Sequence, residues 1–135
     1  MTDKLRRLEN LLGDVEFAKA IRVEGVSVAG IAFNSQLVRP GFMFVAIPGA
    51  KADGHDYIPE AVRRGAAVVV AEREEAVPVE VPAVIVKASR AALAGIARAF
   101  YGDPSRRLDV IGVTGTNGKT TVAYMLYELL GRAAL

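Results

Sequence analysis

The chain has 135 residues, 52% of them hydrophobic and 24% charged, with 17 basic and 15 acidic side chains giving a formal charge of +2. That suits one ordinary domain, or a small domain and a piece of another, and excludes multi-domain machinery and a disordered chain. The absence of cysteine rules out disulfides, thiolate metal sites and cysteine nucleophiles. The basic surplus is small and scattered over Arg6-Arg7, Arg63-Arg64 and Arg106-Arg107, so nucleic acid is not implied as a partner.

The first residues are charged and amphipathic rather than continuously apolar, as a secretory signal would be. No segment reaches the roughly 20 apolar residues of a membrane span, and a cytoplasmic protein is the expectation. Leu5, Leu8, Leu11 and Leu12 recur at helical spacing before Gly13, which predicts a short amphipathic helix over 3–12. Val26, Val28 and Ile31 suggest a strand. Residues 42–47 form a continuous apolar run between Pro40-Gly41 and Pro48-Gly49, as expected of a buried strand near the centre of a sheet.

Pro59 can open a helix whose last turn carries Arg63 and Arg64 and whose stop is Gly65. Residues 67–71 read as the next strand, 72–82 as a solvated connection, and 83–86 as another strand. Ser89 is a candidate N-cap for a helix presenting Leu93, Ile96, Ala97 and Phe100 on one face and ending at Gly102-Asp103-Pro104. Beyond this linker, 108–113 reads as an apolar strand and 120–130 as a helix with Val122, Met125, Leu126, Leu129 and Leu130 as its buried stripe. The order is that of an α/β fold. A strand–loop–helix unit needs parallel neighbours, and only residues 131–135 follow the helix, so the second domain is expected to be cut off.

The strongest chemical signal is Gly112-Val113-Thr114-Gly115-Thr116-Asn117-Gly118-Lys119-Thr120-Thr121. A glycine-rich turn between strand and helix lets backbone N–H groups converge on one anion, with the helix N-terminus adding favourable partial charge. Gly115 and Gly118 permit close approach, Lys119 can reach the β- and γ-phosphates, and the Thr120 hydroxyl can ligate magnesium. The general phosphate-loop pattern would place its first glycine where this chain has Val113.

Two polar loops follow the predicted first and second strands, Asn34-Ser35-Gln36 and Gly49-Ala50-Lys51-Ala52-Asp53-Gly54-His55. Such strand ends commonly hold ligands in α/β sheets. Asp53-Gly54 is first of all a turn signal. His55, the only histidine, reads as a turn residue donating a hydrogen bond, and Phe100 and Tyr101 as packing residues.

Together these motifs resemble the Mur ligase family, amide-forming enzymes of peptidoglycan precursor synthesis, over nearly the whole chain. Residues 115–121 are similar to the ATP loop of the branch that adds the third residue of the stem peptide, and Phe100-Tyr101-Gly102-Asp103-Pro104-Ser105 to its linker. The run Val38-Arg39-Pro40-Gly41-Phe42-Met43-Phe44-Val45-Ala46, then Asp53-Gly54-His55 and Gly65-Ala66, is similar to the family's N-terminal domain, which holds the uridine end of the substrate. Another branch shares that pattern but usually has serine where this chain has Thr116.

The resemblance implies a UDP-substrate domain over 1–103 and the opening strand, loop and helix of a truncated ATP-binding domain over 104–135. It also implies ATP and Mg2+ as cofactors, and a UDP-N-acetylmuramoyl dipeptide and an amino acid as partners. Gly115, Thr116, Asn117, Gly118, Lys119, Thr120 and Thr121 would bind ATP, with Lys119 catalytic on the transferring phosphoryl and Thr120 on the metal. Phe33, Ser35, Ala50, Lys51 and Ala52 would contact substrate, Ser35 falling on the serine of an Asp-Ser-Arg motif that here reads Asn34-Ser35-Gln36. The remaining ligands and the amino-acid pocket would lie beyond Leu135, so the chain alone is not expected to ligate. The competing readings are another phosphate-loop enzyme, such as a nucleotide kinase or polyglutamate-type ligase, and a non-catalytic nucleotide-sugar binding module.

Overall fold

The computed structural model describes residues 5–109 and 111–131. It divides into two compact units, Met1–Asp103 and Pro104–Leu135.

In the first unit the elements are β1 (Arg6–Arg7), α1 (Leu8–Leu11), β2 (Lys19–Ile21), β3 (Ser27–Val28), β4 (Gly30–Ala32), β5 (Phe42–Val45), α2 (Ile58–Arg63), β6 (Val68–Ala71), β7 (Ala83–Ile85) and α3 (Ser89–Phe100). Five strands form one sheet in the order β2-β7-β6-β5-β4. Strands β4 to β7 run parallel, with Met43 opposite Val68 and Val70 opposite Val84, while β2 is antiparallel to β7.

Alternation along each strand sends neighbouring side chains to opposite faces, so a strand covered on both sides must be apolar throughout. Met43, Val45, Val68, Val70 and Val84 point to one face, where Leu8, Leu11, Leu12, Ala92 and Ile96 cover them. Phe44, Val69, Ala71, Ala83 and Ile85 point to the other, under Ile58 and Ala61 of α2. The unit is therefore a three-layer α/β sandwich. The apolar run at 42–47 becomes β5, inside the sheet, with β6 as the central strand.

The α/β expectation holds, with local corrections. The helix expected over 3–12 is only one turn, because the Arg6-Arg7 backbone pairs antiparallel with Ser27-Val28; residues 3 and 4 lie outside the described set. The leucine spacing is nonetheless used, with Leu8, Leu11 and Leu12 buried and Leu5 exposed. The single strand expected around 26–31 is two, β3 and β4, in different sheets. Strand β2, a partly exposed edge, has no counterpart in the sequence reading. The α2 prediction stands: Pro59 lies in its first turn and Gly65, at φ +91°, follows its C-cap. Ser89 is not the N-cap of α3 but its first residue, and its N–H donates to the Glu72 carboxylate at 2.7 Å.

Among its described residues the second unit has one regular element beyond a 3₁₀ turn at Pro104–Arg107, the helix α4 (Lys119–Gly131). No strand forms among the described residues of 108–113; residue 110 lies outside the described set. A strand is defined by pairing, and none of these residues has a ladder partner. The stripe expected to be buried on α4 is not: Val122, Met125, Leu129 and Leu130 are exposed and Leu126 is half-exposed.

Candidate functional site

The carboxyl ends of parallel strands are where backbone N–H groups and loop side chains become free to meet a ligand. In the first unit a cavity of about 410 Å³ opens at this end of β4 and β5, lined by Phe33, Asn34, Ser35, Gln36, Ile47, Ala52, Gly54 and Tyr57.

One wall is the turn after β4. Asn34 Oδ1 accepts the Gln36 N–H at 3.0 Å, an Asx turn that tightens the 3₁₀ segment Ser35–Leu37. Ser35 is buried, and its hydroxyl donates to Glu60 Oε2 at 2.7 Å. Arg64, one helical turn beyond Glu60, donates from Nε to Glu60 Oε1 at 3.0 Å and from Nη1 to the Gln36 carbonyl at 3.2 Å. These bonds close a ring between α2 and the wall. Ser35, followed by Arg64, holds the Glu60 carboxyl below its ordinary pKa, against an opposing effect of burial.

The opposite wall is the loop after β5. Gly54 is required there: a Cβ would lie 2.5 Å from the Ile47 nitrogen and 2.7 Å from its oxygen, which accepts the Gly54 N–H. Asp53 Oδ1 takes the His55 N–H at 2.9 Å and lies 2.6 Å from His55 Nδ1, while Oδ2 pairs with Arg73 at 2.6 Å. His55 is buried, and its Nε2 accepts the Glu72 N–H at 3.0 Å. An imidazole nitrogen that accepts carries no proton, so the ring is neutral with its hydrogen on Nδ1, donated to Asp53. The His55 backbone N–H, then its ring, hold Asp53 below its ordinary pKa. Since Glu72 also caps α3 through Ser89, one imidazole ties together the chain segments following β5, β6 and β7.

Of the expected substrate residues, Phe33, Ser35 and Ala52 line this cavity; Ala50 and Lys51 are exposed on the same loop outside its lining. Ile47, Tyr57, Glu60 and Arg64 are not among the site residues expected from sequence. Tyr57 follows the Asp53-Gly54-His55 motif closely enough to have been suspected. Glu60 and Arg64, by contrast, carry no sequence signal beyond that of charges on a helix surface. Phe100 and Tyr101 meet edge to face with centroids 5.2 Å apart, a packing contact.

In the second unit, Gly115 at φ +149° and Gly118 at φ +75° adopt backbone angles that a side chain disfavours. The Gly118 carbonyl accepts the Val122 N–H at 3.0 Å, opening α4 immediately after the loop. Lys119 turns back so that Nζ donates to the Gly115 carbonyl at 2.6 Å, placing its charge over the loop. Thr116, Asn117, Thr120 and Thr121 are exposed. Positive-φ glycines, the helix start that follows them and a lysine arched over the loop fit a polyphosphate. Magnesium is matched less fully: Thr120 offers one hydroxyl, and no cluster of three acidic or histidine side chains exists among the described residues.

A model described as the Mur ligase family, catalytic domain, matches residues 27–101, more than half of the chain. The chain belongs to the Mur ligase family. It is 44% identical over 110 residues to the UDP-N-acetylmuramoyl-L-alanyl-D-glutamate–2,6-diaminopimelate ligase of Bacillus licheniformis, covering 82% of this chain and 22% of that protein. With the protein of the same description from Aquifex aeolicus the identity is 50% over 103 residues, covering 76% and 21%. The structure of MurF ligase from Thermotoga maritima in complex with ADP superposes with a TM-score of 0.59 at 40% identity, covering 76% of this chain and 23% of that one. The chain thus spans about a fifth of the length of these relatives. No helix among the described residues is long and apolar enough to cross a membrane.

Proposed function

We propose that this chain is the uridine-nucleotide domain and ATP loop of a ligase that adds the third amino acid to UDP-N-acetylmuramoyl-L-alanyl-D-glutamate. The observation that carries this reading is its likeness, at 44% and 50% identity, to two ligases whose names specify that acceptor and 2,6-diaminopimelate. Diaminopimelate is the favoured amino acid for the same reason, with lysine as the alternative.

In this reading Met1–Asp103 holds the nucleotide end of the acceptor in the cavity between Phe33-Asn34-Ser35-Gln36 and Ala52-Gly54. Residues 112–121 grip ATP, which supplies the phosphoryl group that turns the glutamyl carboxylate into an acyl phosphate for attack by an amine. In such transfers the protein chiefly positions reactants and stabilises charge. Lys119 would leave the Gly115 carbonyl for phosphate oxygens, the loop amides would take the remainder, and the Thr120 hydroxyl would contribute one oxygen to Mg2+. With one hydroxyl from Thr120 and no cluster of three acidic or histidine side chains among the described residues, the 135-residue chain alone is expected to bind without ligating.

Calorimetric titration of UDP-N-acetylmuramoyl dipeptide into the wild-type chain and Ser35→Ala tests the reading. Binding that weakens in the variant is expected; equal heats would sink it. A MurF-type ligase is the second reading, favoured by the 40% identity to the Thermotoga protein and disfavoured by Thr116. Binding of UDP alone without binding of the dipeptide nucleotide would move the assignment there.

A further inference from the structure

A serine hydroxyl in a binding cavity is ordinarily ambivalent, since it carries one proton to donate and lone pairs to accept, and it rotates to suit its ligand. Ser35 lacks that freedom. It is only 4% exposed, and its proton goes to Glu60 Oε2 at 2.7 Å. An ionised carboxylate accepts and never donates, so the direction of this bond is fixed. The carboxylate is kept in place by Arg64 on its other oxygen at 3.0 Å, and Arg64 is itself anchored to the Gln36 carbonyl.

We infer that Glu60, held by Arg64, is a specificity-determining residue of this cavity: by taking the Ser35 proton it leaves the Ser35 oxygen as an acceptor only, selecting a neutral N–H or O–H donor of the nucleoside rather than a phosphate oxygen. A phosphate oxygen offered to Ser35 would meet lone pairs, with a carboxylate charge just behind them. An imide N–H of the base or a ribose hydroxyl meets an oxygen whose acceptor character is strengthened by its own charge-assisted bond to Glu60. Phe33, exposed on the same wall, adds an apolar face that suits a base or sugar and not a diphosphate. The inference deepens the uridine-nucleotide reading and rests on it.

The test compares uridine and uridine diphosphate as probes, with N3-methyl, 2′-deoxy and 3′-deoxy analogues of the diphosphate, against wild type, Ser35→Ala and Glu60→Leu. If Ser35 serves the nucleoside, Ser35→Ala weakens uridine and its diphosphate by the same factor, about 10-fold. One donor-deleted analogue then binds wild type correspondingly worse than the parent, and that gap closes in Ser35→Ala. In Glu60→Leu the freed hydroxyl can also donate, and the gap narrows to about 3-fold or less. Should Ser35→Ala weaken the diphosphate and spare uridine, the partner is a phosphate oxygen and the inference is wrong. Absence of any binding of the diphosphate to wild type would overturn the underlying reading as well. A ligand-free measurement guards against a Glu60 variant that fails to fold: the Glu60 carboxyl, followed by carbon NMR, titrates at higher pH in Ser35→Ala than in wild type, and an unchanged titration means that the bond to Ser35 does not exist in solution.

Discussion

All four residues of strand β6 are apolar and buried, whereas helix α4, which carries an apolar stripe among polar residues, has no buried residue. The difference is one of neighbours. Val68 to Ala71 have a strand on each side and helices on both faces, so each apolar side chain finds a partner from a different part of the sequence. Val122, Met125, Leu129 and Leu130 present an equally apolar stripe without such partners among the described residues. The two candidate sites inherit that contrast. The cavity near Ser35 is built from cross-linked walls, while the loop at 115–121 owes its form to local backbone geometry. Perturbing the first site should therefore register in stability as well as binding, and perturbing the second in binding alone.

The largest effect is expected in the core beneath the first site. Phe44 is 1% exposed and fills the α2 face, so Phe44→Ala should cost about 3–5 kcal/mol in chemical denaturation. A cost below about 1 kcal/mol would mean that this face is not packed as described. Next is His55→Ala, which strands the Glu72 N–H and removes the ring's bond to Asp53 while keeping the backbone one; a loss of about 1–3 kcal/mol is expected by the same assay. Nitrogen NMR of the wild-type imidazole should show the proton on Nδ1. A proton on Nε2 would contradict the bond to Glu72.

Lys119→Met tests the other side of the comparison. Affinity for ADP should fall by about 10- to 100-fold, as expected for a charge-assisted contact, while the denaturation midpoint stays put. A matching fall in stability would show that Lys119 supports structure rather than ligand.

What was legible in the sequence follows the same division. Periodicity and punctuation located β5, α2, β6, β7 and α3 because these depend on short-range pattern, and the glycine loop was legible because its chemistry lies within ten consecutive residues. The expectations of a strand over 108–113 and of a buried stripe on α4 fail among the described residues, since both presuppose neighbours that a local pattern cannot supply. Arg6-Arg7 follows the helical leucine spacing locally but pairs with Ser27-Val28, a long-range event that spacing does not show. In the cavity, Ser35 could be found by resemblance, but its partner Glu60 stands 25 positions away. Nothing in the spacing of Glu60 and Arg64 distinguishes a cavity support from a surface pair.

Acidification should affect the first unit more gently. Asp53 and Glu60 both have folded-state pKa values lowered from ordinary, chiefly by His55 and by Ser35 respectively. Groups shifted downward favour the folded state above their unfolded pKa, and the benefit disappears as pH falls through the folded value. Wild type should therefore lose stability on descent through and below the ordinary carboxylate range, with a shallower slope in Asp53→Asn and in Glu60→Gln. Thermal melts at closely spaced pH values would show it, and superimposable slopes would remove these two carboxylates from the account.

The smallest effect is reserved for α4, where the contrast is most easily broken. Leu129 is 70% exposed, so Leu129→Ser removes little buried surface and should change stability by less than about 0.5 kcal/mol. Met125→Ser, at 59% exposure, should behave alike. An exposed apolar stripe instead favours association, and both substitutions should shift sedimentation toward the slower-moving species at high protein concentration. If either one costs more than about 1 kcal/mol at a concentration where the chain sediments as a single species, the stripe is buried within the chain in solution. The second unit would then possess a core of its own, and loop and cavity would no longer differ in kind.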